Sequence, residues 1–132
     1  MPLKLLLVED NLATRLALLD VLEQSAFCVT CANDGLDGLN QAKQSDFDVV
    51  IVDHKMPLMD GLTLCRNLRE LNHYQQTPLL LLTTQDLSQV EPLAIKAGAD
   101  LCLAKPVEGA RLLELLSDLS ATQRLYPVND LR

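Results

Sequence analysis

The sequence predicts an α/β protein: a doubly wound, five-stranded parallel sheet with five helices. Two observations carry this prediction. Short apolar runs alternate with longer segments suited to helices along the 132 residues, which is typical of a parallel sheet covered by helices on both faces. Four of these runs also end on a polar or charged group, as expected where the carboxyl ends of parallel strands form a binding site.

The predicted strands are the apolar runs themselves. A strand that is buried on both faces forms a short continuous run of Val, Leu and Ile instead of an alternating pattern. The five strands are predicted near residues 3–8, 28–32, 48–53, 78–83 and 101–104. The segments between them are long enough for one helix each, and right-handed crossovers then place these helices on both faces of the sheet.

The predicted helices lie near residues 12–25, 35–45, 60–71, 90–97 and 107–119. Their ends carry residues that commonly begin or end helices. Asp34 and Asp60 each stand before a glycine where a helix begins, and Gly98 follows the end of the fourth helix.

Two segments interrupt the regular alternation of strands and helices. Pro92 falls within the fourth helix, and because an interior proline removes a hydrogen bond, this helix is expected to start late, around Glu91. After Leu119 the apolar stripe of the fifth helix ends, and polar residues with Pro127 follow. Residues 1–119 are therefore predicted to form one domain, and residues 120–132 a C-terminal tail or the start of a linker.

The composition excludes several classes of protein. A hydrophobic content of 48% over 132 residues suits one domain with a single core. With 18 acidic and 11 basic residues the net charge is −7, and without a basic patch, nucleic-acid binding by this chain is not expected. The chain has no apolar stretch long enough for a membrane span and no signal-peptide pattern after Met1, so a cytoplasmic protein is predicted.

The four cysteines are expected to be structural. Cys28 and Cys31 match the C-x-x-C pattern of redox and zinc sites, but they fall in a predicted strand. Residues three apart in a strand are about 10 Å apart, whereas a disulfide needs Cα atoms within about 7 Å. Zinc would need further ligands, and Cys65, Cys102 and the two histidines stand alone in the sequence.

Polar side chains at the strand ends are predicted to converge on one site. Glu9 and Asp10 follow the first strand, Asp53 ends the third, Thr83 ends the fourth and Lys105 follows the fifth. Carboxylate oxygens are ligands that Mg²⁺ accepts, and the ion together with Lys105 would attract a phosphate group. Asp53 would then attack phosphorus, while Thr83 would donate a hydrogen bond to the product. Each residue alone is more often a cap, a strand end or a surface charge, but their joint position favours this function.

The motifs around these residues resemble those of response-regulator receiver domains of two-component phosphorelays. Residues 8–11 resemble the family's acidic pair, and residues 53–61, DHKMPLMDG, match its D-x-x-M-P-x-M-D-G signature. Thr83 and Lys105-Pro106 complete the set. The resemblance covers about residues 3–119 and implies a flavodoxin-like sheet of strand order 2-1-3-4-5.

The resemblance also implies roles for the site residues. Asp53 is implied to take a phosphoryl group from a phosphohistidine on a histidine kinase or a histidine phosphotransfer domain. Thr83 is implied to swing toward that group, and Lys105, set by a cis bond to Pro106, to contact it. Such a domain catalyses only its own phosphorylation and dephosphorylation and is not an enzyme with an external substrate. The implied magnesium ligands are Glu9, Asp10, the Asp53 carboxylate and the backbone carbonyl of Lys55.

Two positions depart from the family's pattern. The family's switch pairs the hydroxyl with a Tyr or Phe three residues before the lysine, and Cys102 stands there in this chain. We interpret Cys102 as a small buried switch residue, with a redox role as the open alternative. Thr84 occupies a position where Ala or Gly is usual, and its bulk is expected to slow phosphotransfer or hydrolysis. Phosphorylation is expected to change the surface of the fourth helix, fifth strand and fifth helix, through which a homodimer is also expected.

The first helix is apolar nearly all round. Four residues are expected to pack on the sheet: Ala13, Ala17, Leu18 and Val21. Leu12, Leu16 and Leu19 lie on the other side. Because receivers dock their phosphodonor against this helix, the resemblance implies that the three leucines form a contact patch for the histidine kinase or phosphotransfer domain.

Three alternatives stay open. A phosphatase or phosphotransferase with an aspartyl intermediate would need a second acid two residues after the nucleophile, where Lys55 stands. A pseudo-receiver that acts only as a protein-binding module is disfavoured by the intact Asp10, Asp53, Thr83 and Lys105. Cys102 and Thr84 leave this alternative open. The motifs also resemble those of receivers attached to hybrid sensor kinases, although the start at Met1 favours a separate regulator.

Overall fold

The computed structural model describes the backbone of residues 3–129 and the side chains of residues 3–119. The strands are β1 (Leu3–Val8), β2 (Phe27–Ala32), β3 (Val49–Asp53), β4 (Leu79–Thr83) and β5 (Leu101–Ala104). The helices are α1 (Leu12–Leu22), α2 (Gly35–Gln44), α3 (Gly61–Arg69), α4 (Leu87–Lys96) and α5 (Gly109–Asn129), with a 3₁₀ turn at Asn72–Tyr74. All paired strands are parallel, in the order β2-β1-β3-β4-β5. The predicted flavodoxin-like fold is confirmed.

Two apolar clusters lie on opposite faces of the sheet. On one face, residues of α2, α3 and α4 such as Ala42, Leu64 and Ala94 pack against β-strand side chains. On the other face, Leu18 and Leu22 of α1 pack with residues of α5. Every residue of β3 and β4 is buried, and burial of one such Leu, Ile or Val side chain contributes about 1.5–3 kcal/mol. This double coverage is why the central strands are continuous apolar runs.

Four helices begin with a side-chain cap. In each case an Asn or Asp oxygen accepts a hydrogen bond from a backbone amide in the first turn, a contact worth about 1 kcal/mol. The capping residues are Asn11, Asp34, Asp60 and Asp86. The cap of α1, Asn11, follows directly on Glu9 and Asp10, whereas the cap of α3, Asp60, ends the longer loop that begins after Asp53.

The fourth helix begins earlier than its proline suggests, and the prediction that it starts around Glu91 is wrong. The Asp86 carboxylate accepts from the amide and the hydroxyl of Ser88 at 3.1 and 2.9 Å, so α4 starts at Leu87 and Pro92 lies inside it. Val90 and Ala94, one turn apart, are buried against the sheet. Their packing and the cap offset the hydrogen bond that the proline removes.

Two other helical predictions need correction. Leu18 and Leu22 are the buried residues of α1, whereas Ala13 and Ala17, expected to pack on the sheet, are exposed. Because α1 is apolar nearly all round, its periodicity does not single out one face. The fifth helix continues past Leu119 to Asn129, so the end of its apolar stripe does not mark the end of the helix. The predicted tail thus has a helical backbone over residues 120–129, and residues 130–132 lie outside the described residues.

Two expectations from composition can be compared with the structure. All four cysteines are free thiols, with Cys28 exposed and Cys65 and Cys102 buried. Within residues 3–129, none of the helices combines the length and the apolar character that crossing a bilayer requires.

Candidate functional site

Three carboxylates meet at the carboxyl end of the sheet. Glu9 follows β1 and Asp53 ends β3, and these strands are neighbours with Val8 opposite Val52. One carboxylate oxygen from each of Glu9, Asp10 and Asp53 lies within 4.8 Å of the other two. Glu9 and Asp53 are only 1% and 5% exposed, while Asp10 is exposed at the mouth of the cluster. This set of hard oxygen donors, open to solvent on one side, suits Mg²⁺, which retains several waters.

The ammonium group of Lys105 lies against two of these carboxylates. Its Nζ donates to Asp53 Oδ1 at 2.6 Å and to Glu9 Oε1 at 3.1 Å. Burial lowers the pKa of Lys105, but the hydrogen bonds and charges of Asp53 and Glu9 outweigh burial and raise it above its ordinary value. The peptide bond between Lys105 and Pro106 is cis, as the resemblance implied. Lys105 is therefore a charged group in direct contact with the predicted nucleophile.

The surroundings of Glu9 change the pKa of its carboxyl group. Burial raises its pKa to about 7, and the nearby charge of Asp53 acts in the same direction. The Asn11 amide, which donates to Glu9 Oε2 at 3.2 Å, and Lys105 oppose this shift. Arg15 donates to the Glu9 backbone carbonyl at 2.6 Å, which ties α1 to the end of β1. A bound dication would favour the ionised form of Glu9.

The loop after β3 is held close to the sheet by its backbone. The amide of Gly61 donates to the carbonyl of His54 at 2.7 Å, and a Cβ at Gly61 would collide with the Asp53 carbonyl oxygen and the Leu81 side chain. Glycine is thus required for the start of α3 to approach the end of β3. Lys55 is exposed in this loop, and its carbonyl stays a ligand implied by the resemblance alone.

Thr83 is fully buried at the end of β4 and has two partners. Its Oγ1 accepts from the Gln85 amide at 3.0 Å, and it lies 2.9 Å from His54 Nδ1. Burial lowers the pKa of His54, as does the nearby charge of Lys55. The sequence reasoning assigned no role to His54. The register of β3 against β4 would have indicated this contact. Asp53 lies opposite Leu82, so the residues that follow them, His54 and Thr83, come to lie side by side.

The two positions that depart from the family's pattern lie in different surroundings. Cys102 is buried opposite Leu81 and belongs to the apolar cluster beneath α3 and α4. Burial raises the pKa of its thiol, and a thiol that is less readily ionised is less reactive. This environment supports the interpretation as a small buried residue over a redox role. Thr84 is exposed beside Lys105, near the mouth of the site.

An apolar groove of about 470 Å³ runs from the site along the first helix. It lies between α1 and the segment that joins β5 to α5. Its lining residues are Ala13, Thr14, Ala17, Leu18, Val21, Thr84, Lys105, Pro106 and Val107. Next to it, Leu12 and Leu16 are 59% and 56% exposed, whereas Leu19 is half-buried against the core. Of the three leucines predicted as a contact patch, two therefore present most of their surface to solvent.

Comparison with known proteins agrees with this geometry. Residues 5–117 match the family model described as the response regulator receiver domain. The sensory/regulatory protein RpfC of Xanthomonas campestris pv. campestris is 34% identical over 124 residues, which are 92% of this chain and 17% of RpfC. The response regulator MprA of Mycobacterium sp. (strain KMS) is 36% identical over 94% of this chain and 52% of MprA. The chain thus spans about half or less of the length of these curated relatives.

A solved structure gives the same result for the fold. The receiver domain of the sensor histidine kinase PA1611 from Pseudomonas aeruginosa PAO1 superposes with a TM-score of 0.83 and 27% identity, covering 90% of this chain and 98% of that domain. That domain was solved with a magnesium ion coordinated in its active site cleft.

Fold and site together define a regulatory class: doubly wound α/β domains with an acidic cluster at the carboxyl end of a parallel sheet. Within that class, this chain belongs to the response-regulator receiver domain family of two-component signalling.

Proposed function

We propose that this chain is a phosphoacceptor in which Asp53 takes a phosphoryl group from a phosphohistidine on a histidine kinase or a histidine phosphotransfer domain. The observation that carries the proposal is the position of Asp53. Its carboxylate is nearly buried, lies within 4.8 Å of Glu9 and Asp10, and accepts a hydrogen bond from Lys105. A nucleophile, a metal-binding cluster and a cation thus share one pocket.

The transfer forms one bond and breaks one. A carboxylate oxygen of Asp53 attacks phosphorus, the bond from phosphorus to the histidine nitrogen breaks, and that nitrogen keeps the electron pair. The product is an acyl phosphate on Asp53 and a free imidazole on the donor. The Lys105 ammonium, 2.6 Å from Asp53 Oδ1, neutralises negative charge on the transferring oxygens.

The acidic cluster would hold Mg²⁺ through Glu9, Asp10 and Asp53, joined by the backbone carbonyl of Lys55. When bound, the ion supplies positive charge that offsets repulsion between the carboxylates and the incoming phosphoryl group. The magnesium bound in the cleft of the PA1611 receiver domain supports this assignment.

The donor docks on the groove beside α1. Leu12 and Leu16 are exposed next to a groove whose far end reaches Lys105, so a partner helix lying there brings its phosphohistidine toward Asp53. Leu19 contributes less surface because it is half-buried. Exposed apolar side chains grouped beside a cleft are a feature of protein interaction sites.

The docking proposal predicts a selective defect for Leu16→Glu. Phosphotransfer from a histidine phosphotransfer domain that phosphorylates the wild-type chain should slow about tenfold, which corresponds to roughly 1.4 kcal/mol. Phosphorylation by acetyl phosphate should be unchanged. Leu36→Glu, at an exposed leucine of α2, is the matched control and should affect neither reaction. Equal slowing of both reactions by Leu16→Glu would contradict the docking site.

The output of phosphorylation is a change in the surface of α4, β5 and α5. Thr83 turns toward the phosphoryl group, and Cys102, buried on β5, takes the place of the family's larger switch residue. Leu93 and Ile95 of α4 are about half exposed, so this surface carries apolar side chains that a partner or a second copy of the chain would cover.

The direct test of the proposal is intact mass after incubation with magnesium and acetyl phosphate. The wild-type chain should gain one phosphoryl group, and Asp53→Ala or addition of a chelator should abolish the gain. If the wild-type chain gains none from acetyl phosphate or from a phosphohistidine donor, the alternative of a binding module without phosphotransfer is favoured. We expect no turnover of an external phosphate ester, because Lys55 stands where an aspartyl phosphatase would need its second acid.

A further inference from the structure

The hydroxyl that the switch would move is held by a buried histidine. Thr83 is fully buried and His54 is 4% exposed, and His54 Nδ1 lies 2.9 Å from Thr83 Oγ1. The second partner of Oγ1 is the amide of Gln85, at 3.0 Å. A hydrogen bond between two buried side chains resists disruption, because separating them leaves a polar group without a partner and without water.

The backbone leaves His54 little freedom to follow a moving partner. Its amide donates to the Leu82 carbonyl at 2.8 Å, and its carbonyl accepts from Gly61 at 2.7 Å. The first bond joins it to β4 and the second to the start of α3. The backbone of His54 is therefore fixed relative to the sheet, and its buried imidazole can follow a rotating Thr83 side chain only by turning about its own side-chain bonds.

We propose that His54 is a positioning residue that latches Thr83 in the unphosphorylated state and so sets how readily the switch turns. The inference rests on the proposed function, in which Thr83 moves toward a phosphoryl group on Asp53. Whichever of the two groups donates, the bond to Nδ1 holds the hydroxyl in one rotamer. Turning that hydroxyl away breaks the bond and leaves Nδ1 buried without this partner, so the latch favours the resting state.

The latch explains how the switch works with a residue as small as cysteine at position 102. In the family's pattern an aromatic side chain at this position moves together with the hydroxyl. Here Cys102 lies opposite Leu81 within the apolar cluster, so no large side chain at this position accompanies the rotation of Thr83. Instead, the hydrogen bond to His54, which directly follows the neighbouring strand β3, supplies a barrier between the two positions of the Thr83 hydroxyl.

The test uses beryllofluoride with magnesium as a stable analogue of the phosphoryl group. His54→Phe keeps a planar ring but cannot form the bond, and His54→Asn carries an amide close to where Nδ1 lies. If the latch exists, His54→Phe should bind beryllofluoride about threefold to tenfold more tightly, the effect of one hydrogen bond of ordinary net strength. His54→Asn should bind close to the wild-type affinity, and magnesium affinity in the absence of beryllofluoride should be the same in all three proteins.

A second measurement separates a latch from a merely structural role. In a Thr83→Ala background, His54→Phe should no longer change beryllofluoride affinity, because its partner is gone. In the free His54→Phe protein, the Thr83 methyl resonance should move toward the position it takes in the beryllofluoride-bound wild type. If His54→Phe does not fold, His54→Leu takes its place in both measurements.

The outcomes distinguish this inference from the proposed function. If the wild-type chain binds no beryllofluoride, the proposed function fails and the latch fails with it. If the wild type binds but His54→Phe binds equally tightly, or the effect of His54→Phe persists in the Thr83→Ala background, the latch is wrong while the proposed function stands.

Discussion

At the scale of single residues, Glu9 is expected to make magnesium binding at the site depend on pH. Burial raises its pKa to about 7, and a proton on Glu9 competes with a bound cation. Magnesium affinity, followed by amide chemical shifts, should therefore rise with pH up to about 7 and level off above it. Glu9→Gln should bind magnesium more weakly and lose this dependence. An equally steep dependence in Glu9→Gln would contradict the assignment.

The raised pKa of Glu9 also determines how the stability of the metal-free chain changes with pH. The pKa of Glu9 lies near 7 in the folded state, against an ordinary value of 4.5. Between these values the folded state binds more protons than the unfolded state, so the contribution of Glu9 to stability falls as pH rises through this window. Bound magnesium should offset this loss, because it stabilises the ionised carboxylates.

Leu58 is a second residue of interest at this scale, because its backbone conformation lowers the stability of the fold. Its φ of 71° is in the left-handed region, and the Met59 amide donates to the Pro57 carbonyl at 2.7 Å, which makes a strained γ-turn. Leu58→Gly removes strain of about 1–3 kcal/mol and adds unfolded-state entropy worth roughly 0.5–1 kcal/mol. Since Leu58 is 78% exposed, little packing is lost, and urea unfolding should show a net gain of about 1 kcal/mol.

The control for this change is Leu58→Ala, which removes most of the side chain but keeps the Cβ and hence the strain. It should not stabilise the chain. If alanine and glycine stabilised equally, the exposed leucine itself and not its backbone conformation would be the cause.

The residues of the site show what sequence can and cannot predict at this scale. Glu9, Asp53 and Lys105 were predicted because each follows an apolar run, and parallel strands bring such positions to one edge. The contact between His54 and Thr83 was not predicted. A histidine inside a motif has no pattern of its own in the sequence, and its partner becomes visible only once the register of β3 against β4 is known.

At the scale of elements, Arg69 joins three segments around the end of α3. Its guanidinium donates to the carbonyls of Tyr74 and Thr77 at 2.6 and 2.7 Å, to that of Gly98 at 2.9 and 2.7 Å, and to the Asp100 carboxylate at 3.0 Å. Arg69→Met should lower the free energy of unfolding by about 2–4 kcal/mol, because it leaves several polar groups without their charged donor.

The matched control for this prediction is Arg111→Met. Arg111 pairs with Glu114 at 2.7 Å on the exposed surface of α5, and exposed pairs of this kind contribute at most about 0.5 kcal/mol. Denaturant unfolding of both variants gives the comparison. Equal losses of stability would show that the bonds of Arg69 are no stronger than a surface pair.

Elements were predicted most accurately where the sequence pattern had one physical cause. The strands β1 and β5 have the predicted bounds, because each is a short, mainly apolar run that ends directly before a charged residue. The start of α4 was misplaced because Pro92 disfavours a helix locally, and the packing of Val90 and Ala94 overrides that preference. The buried face of α1 was misassigned because apolar residues on all sides leave the orientation to tertiary packing.

At the scale of the whole molecule, the site lies at the end of a sheet whose two faces are covered by different helices. The groove beside α1 lies on the face where α1 and α5 pack, while α2, α3 and α4 cover the other face. Asp53 stands between these layers at the end of a central strand. Under the proposed function, the donor docks beside α1, and the responding surface of α4, β5 and α5 lies at the β5 edge of the sheet. Asp53 and its neighbour Thr83 connect the two.

The receiver domain forms only part of each of the curated relatives. The chain covers 17% of RpfC and 52% of MprA, so the same module occurs within relatives of very different length. The described site residues lie at the carboxyl end of one sheet, and the two apolar clusters that position them are formed by residues within the range 3–119.

The measurement that tests the central claim most directly is the position of the phosphoryl group. After incubation with magnesium and acetyl phosphate, borohydride reduces an aspartyl phosphate to homoserine, and peptide mass spectrometry locates that residue. We expect homoserine at position 53 and nowhere else, and none when acetyl phosphate is omitted. A phosphoryl group at another residue, or none on the folded wild-type chain with either a small-molecule or a phosphohistidine donor, would contradict the role of Asp53 as phosphoacceptor.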